Sequence, residues 1–156
     1  ANFVSGVGGD NTPSFGATMS ADQNSLSSDT LTLVAFNTEV WDTDSAYTNT
    51  SSNYKFTVPS GEAGKYFITS HIHIRTSGSY QTKDIRLYKN GSFLTQHNLQ
   101  MASDYLRHDF TNNASITTVQ NLAEGDYIQV YAKSKDVTWN LKAEGAYFSM
   151  HKLIGI

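Results

Sequence analysis

The chain is 156 residues long, the size of one ordinary domain, and its 38% apolar residues with 11 glycines suffice for a buried core without disulfides, which the absence of cysteine excludes. Only 16% of residues are charged, with Ser, Thr, Asn and Gln in their place; this starves exposed helices of Glu–Lys pairs and, with 12% aromatics, favours strands. A net charge of −3 without a basic stripe excludes nucleic acid and anionic membranes as partners, and the longest apolar runs, about four residues from Leu33 to Phe36, are far below the ~20 that a membrane span needs.

Residues 1–12 are small, Gly-rich and aperiodic and read as a linker from an upstream segment, leaving 13–156 as the domain. From Pro13 onward short strands alternate with turns, and no window shows a convincing helical period. Residues 31–41 are strand-rich, 53–59 form a short strand, and Pro59-Ser60-Gly61 closes it as a turn. Along 65–75, Tyr66, Ile68, Ser70, Ile72 and Ile74 take one face while Phe67, Thr69, His71, His73 and Arg75 take the other. The second set is partly apolar, so that face too is expected to be covered, by oligomerisation.

Residues 83–101 read as a hairpin around Asn90-Gly91, a pair suited to the two positive-φ positions of a tight turn. Strands follow over 107–122 and, after the Glu124-Gly125-Asp126 turn, over 127–133, where Ile128, Val130 and Ala132 alternate with Tyr127, Gln129 and Tyr131. Residues 134–142 read as a loop carrying Trp139, and 146–156 as a last strand packed into the sheet. Nine or ten strands with these turn spacings predict an all-β sandwich, most simply a jelly roll, or a closed barrel.

Several groups of residues recur at a spacing that spans several strands: Phe36-Asn37 with Val40 and Asp42, Tyr54 to Pro59, Gly64 to Ile68, Gly125 to Val130, and Phe148-Ser149 with Leu153-Ile154. Together they resemble the complement C1q-like globular head family, over residues 14–156. The resemblance implies a ten-stranded jelly roll related to tumour necrosis factor, working as a homotrimer whose inner sheet packs around a threefold axis. Ile68 and Ser70 stand where that family usually has aromatics, Met150-His151 stands where Gly-aromatic is usual, and there is no collagen repeat. The polar wording is more similar to the C1q-like tips of phage tail fibres and microbial surface proteins, which implies an extracellular or virion-surface location.

Enzyme motifs are missing: there is no nucleophile elbow, zincin helix, phosphate loop or dinucleotide fingerprint. Asp42 and Asp44 read as turn residues, Trp41 as packing, and the sequons at Asn49, Asn90 and Asn113 as products of composition. Given the jelly roll, strand parity gathers three loops at the end distal to the termini, carrying Tyr80, Asp104, Tyr105, Lys135, Asp136 and Trp139. Aromatics on such loops suit a sugar face or a protein contact, so these six residues are the expected ligand site. Phe67, Thr69, His71, His73 and His151 are the expected trimer interface. There, threefold copies of His71 and His73 could hold a divalent metal ion on the axis, with His108 in support; no other cofactor is expected.

The expected function is a non-enzymatic trimeric head for receptor binding or adhesion, at the tip of a tail fibre or secreted fibrous protein, recognising a cell-surface glycan or protein by avidity. The alternatives are a trimerisation and capping domain of a stalk, or a carbohydrate-binding module attached to an enzyme.

Overall fold

The computed structural model describes residues 11–50, 52–76, 82–94, 99–102, 110–135 and 137–153. Among these residues every helical or strand element is a strand: β1 (Ser14–Thr18), β2 (Gln23–Leu26), β3 (Thr32–Leu33), β4 (Thr38–Asp42), β5 (Tyr47–Thr50), β6 (Asn53–Thr57), β7 (Gly64–Thr76), β8 (Thr82–Lys89), β9 (Ser92–Phe93), β10 (Leu99–Ala102), β11 (Phe110–Leu122), β12 (Tyr127–Ser134) and β13 (Trp139–Lys152). They form two antiparallel sheets. The first runs β11-β7-β13-β1-β4 with β2 added to β13, and the second runs β10-β8-β12-β6-β5 with β3 and β9 added to β12 and β8. The two five-strand paths are the ten strands of the expected jelly roll.

Strand β7 sets the pattern. Tyr66, Ile68, Ser70, Ile72, Ile74 and Thr76 are buried and every intervening residue is at least partly open, so its two-residue period divides core from outer face along its length. Beside it in the same sheet Trp139, Leu141, Phe148 and Met150 of β13 are buried, and so are Ile128, Val130 and Ala132 of β12 in the second sheet. An aromatic group ties the sheets at one point. Phe15 stacks on Tyr47 (ring centroids 4.5 Å) and Phe56 (5.1 Å) and meets the edge of Phe148 (4.8 Å). The buried Tyr47 hydroxyl donates to the Phe36 carbonyl at 2.8 Å. Burial raises the Tyr47 phenol far above its ordinary pKa, so it remains a donor.

The sequence reading locates β7 and β12 to within a residue but errs at two elements. Its expected 134–142 loop is short, because β13 begins at Trp139 rather than Ala146; Trp139 and Leu141 already point inward, and a bulge between Lys142 and Tyr147, with Gly145 at φ +70°, hides the continuity. The return strand of the hairpin is broken. β9 sets Phe93 opposite Tyr88, but β10 rejoins with Leu99 opposite Ile85, later than a regular hairpin would.

The Asn90-Gly91 turn and the 123–126 turn interlock at the end holding β1's start and β13's finish. Asn90 has φ +52° and Gly91 φ +74°. The Asn90 side chain donates to Asp126 Oδ1 (2.6 Å) and accepts from the Tyr127 N–H (2.9 Å), so both ends of this sequon's amide are engaged by the turn. Asp126 Oδ2 accepts from the Ala123 N–H at 2.7 Å and lies 2.6 Å from Lys89 Nζ.

Two outcomes follow from these contacts. The Trp139 ring is fully buried, and its Nε1 donates to the Ser27 carbonyl at 2.9 Å. Trp139→Ala therefore lowers stability by about 3–5 kcal/mol in urea unfolding, the cost of an emptied aromatic core site, and a change under about 0.5 kcal/mol would contradict its core role. Burial pushes the Asp126 carboxyl up, but Lys89, Asn90 and the Ala123 N–H outweigh it and hold it below its ordinary value. The unfolded chain therefore takes up this proton first, so the stabilisation is present above about pH 4 and is lost as pH falls through the lower folded value. Asp126→Ala lowers the melting temperature at pH 7, and thermal scans show the gap to the parent chain closing below about pH 4.

Candidate functional site

The outward face of the first sheet carries the expected interface residues. Cross-strand register lines them up in rows: Trp41, Gly16, Ser149, Thr69 and Thr117; then Ser14, His151, Phe67 and Val119; then Thr18, Tyr147, His71 and Ser115. These rows contain no Asp, Glu, Lys or Arg. The large hydrophobic residues left exposed among the described residues are Val40 (60%), Trp41 (48%), Val119 (48%) and Tyr147 (41%), and all four belong to strands of this sheet. Single exposed apolar residues are ordinary on any protein; their confinement to one sheet is not.

Local packing arranges the rings on this face. The Trp41 indole lies over Gly16, where a Cβ would stand 2.3 Å from the ring, so only glycine admits it. Trp41, Ser14, Ser149, His151, Met150 and Asn11 line an open groove of about 260 Å³. Trp41 is thus on an open face, not in the core or merely at its rim as the sequence suggests. Phe67 stacks on His151 (5.1 Å between centroids) and His71 on Tyr147 (5.8 Å), each pair bridging β7 and β13.

His71 and His73 are brought together as expected, more tightly than strand spacing alone gives. Their Nε2 atoms are 3.0 Å apart, and His71 Nδ1 is 2.6 Å from Ser115 Oγ on β11. Burial first, and His73 second, hold the His71 imidazole below its ordinary pKa, so it is neutral at neutral pH. His73 is in reach because position 145 is glycine, whose absent side chain would lie 3.2 Å from His73 Nε2. Lys142, level with His73 in the register, is ion-paired to Asp22, whose carboxyl that lysine holds low. Among the described residues no three His, Cys, Asp or Glu side chains group as a metal site. One chain thus offers a pair of ligands.

The expected distal-loop site is only partly placed. Tyr80, Asp104, Tyr105, Asp136 and His108 lie outside the described residues. Register nevertheless brings the flanking strand ends to the end expected for those loops: Thr76 opposite Phe110 and Trp139, and Ser134 opposite Lys83. Lys135 is exposed there. Trp139 is a correction, because a fully buried ring on β13 cannot stack on an external ligand. Lys83 is a buried charge-bearing residue that the sequence reading does not single out. It is buried inside this end beside Ser134, where desolvation lowers its pKa, and the phase of Ile85 and Leu87 already sets position 83 inward. Asp42 behaves as the turn residue expected, accepting from the Asp44 and Tyr47 N–H groups.

No protein-family model matches the chain, and no curated protein matches it significantly. Solved structures do. The globular domain of zebrafish complement 1qA protein is 16% identical, with 92% of this chain and 98% of that one covered at a TM-score of 0.58. Murine APRIL at pH 8.5 is 14% identical, covering 90% and 98% at 0.61, and murine APRIL at pH 5.0 is 16% identical over the same shares at 0.58. With its two facing antiparallel sheets, the chain therefore has the jelly-roll fold of the C1q and tumour necrosis factor type.

Proposed function

We propose that this domain is the homotrimeric, non-enzymatic head of a fibrous or secreted protein, extracellular or on a virion surface as at a phage tail-fibre tip, and that it binds a cell-surface glycan or protein receptor. The carrying observation is the outward face of the first sheet, where the exposed Trp41, Val119 and Tyr147 stand in rows without formal charge. Depletion of charge with retained aromatics is the composition of a buried interface core. The covering partner in this reading is two further copies of the chain, as the C1q-like resemblance implies, with Phe67, Thr69, His71, His73 and His151 at the seam.

Trimerisation leaves the distal end free, and three modest receptor contacts on one rigid head gain strength through avidity. Lys135 is the exposed member of that end; Tyr80, Asp104, Tyr105 and Asp136 complete the proposed contact set, from which Trp139 is withdrawn.

Light scattering on the purified domain should give three times the chain mass at micromolar concentration. Val119→Asp adds a charge at a position half open in one chain, so it should yield folded monomers, with circular dichroism unchanged. A parent chain that is already monomeric would overturn the assembly. Tyr105→Ala with Lys135→Ala should weaken attachment to cells or a glycan array at least several-fold while trimer mass is kept; unchanged attachment would place the receptor contact elsewhere on the head.

A further inference from the structure

The histidine pair has the geometry of a chelate. Metal–nitrogen bonds of about 2.0–2.1 Å place their two nitrogens about 2.8–3.0 Å apart where they meet at a right angle and about 3.3–3.4 Å apart at a tetrahedral one. The His71 and His73 Nε2 atoms are 3.0 Å apart, the separation of the right-angle arrangement. We propose that His71 and His73 form a bidentate site for a first-row divalent transition metal such as zinc or nickel, completed at the subunit seam by neighbouring copies of the chain. That completion rests on the trimeric reading above; the pair itself does not.

The surroundings supply what a ligating imidazole needs. His71 Nδ1 lies 2.6 Å from Ser115 Oγ; with the proton on Nδ1 this hydrogen bond fixes the ring's orientation and leaves Nε2 as the ligating atom. Tyr147 stacks on the same ring and blocks its rotation. A proton shared between the two Nε2 atoms accounts for their contact in the metal-free pair; coordination needs both Nε2 atoms unprotonated and both lone pairs aimed at one ion. The groups level with the pair do not block a cation. Lys142 is engaged by Asp22, and Ser115 and Asn113, opposite the two histidines on β11, are uncharged.

The test uses untagged protein stripped with chelator and then dialysed against zinc or nickel alone. Elemental analysis is expected to give one ion per three chains where the ion sits on the threefold axis, or one per chain where it sits beside it. Fewer than about 0.1 ion per chain overturns the site. His71→Gln and His73→Gln should each weaken binding at least about 10-fold, and Ser115→Ala should weaken it less, with recovery in Ser115→Thr. Bound metal that is indifferent to both histidine variants also overturns it. Light scattering on the same samples separates the two readings. A trimer without metal removes this site and leaves the assembly, whereas a monomer whose metal needs both histidines keeps the site and removes the assembly.

Discussion

The two-residue period of β7 is the constraint from which the rest of the molecule follows. It pairs with β11 on one side and β13 on the other, so every choice of inward residue is felt across three strands. Tyr66, Ile68, Ile72 and Ile74 commit one face to the core. Phe67, Thr69, His71 and His73 must then all emerge on the other, because a one-residue slip would drive the imidazoles into the core and expose the isoleucines. The composition of the outer face is thus tied to the register that makes the core.

The second sheet is held to this frame at two points. Phe15 couples β1 to Tyr47 and Phe56 of the opposite sheet, so the aromatic stack acts as a rivet between layers. At the end of the sandwich, Asn90 and Asp126 knot two turns by side-chain hydrogen bonds, fixing how β8, β11 and β12 meet. The end where Thr76, Lys83 and Ser134 lie is built differently. Among the described residues, Thr76 Oγ1 and Ser134 Oγ are buried without a hydrogen-bond partner and a lysine is buried beside them, whereas Asn90 and Asp126 at the other end are engaged in a hydrogen-bond network.

Sequence disclosed those parts of the fold in which local chemistry and tertiary packing agree. The alternation of β7 and β12 and the Asn90-Gly91 turn are of this kind, and so is the turn role of Asp42. It failed where a bulge shifts the phase: Trp139 sits before the irregularity at Gly145, and without that hinge its inward setting does not follow from Phe148 and Met150. The histidine pair was legible as two rings on one face. The close approach of its Nε2 atoms was not, since it depends on Ser115 across the sheet and on the room left by Gly145. Trp41 was misjudged for the same reason, its position being set by Gly16 on a neighbouring strand.

The outer face of the first sheet also explains why its histidines are placed where they are. Three rows without charge make a surface that water covers poorly, yet Val119, Tyr147 and Trp41 are spread among Ser and Thr rather than joined into one apolar patch. Such a face gains from burial without driving indiscriminate aggregation, because each hydroxyl that loses water must find a partner in the correct docked geometry. The imidazoles extend this logic. They bring ring area for packing, and they carry nitrogens that must be satisfied in one orientation, by a shared proton or by an ion. In the proposed trimer, assembly on this surface is a matter of polar matching imposed on apolar burial, and the His71–His73 pair is the point at which that matching is most demanding.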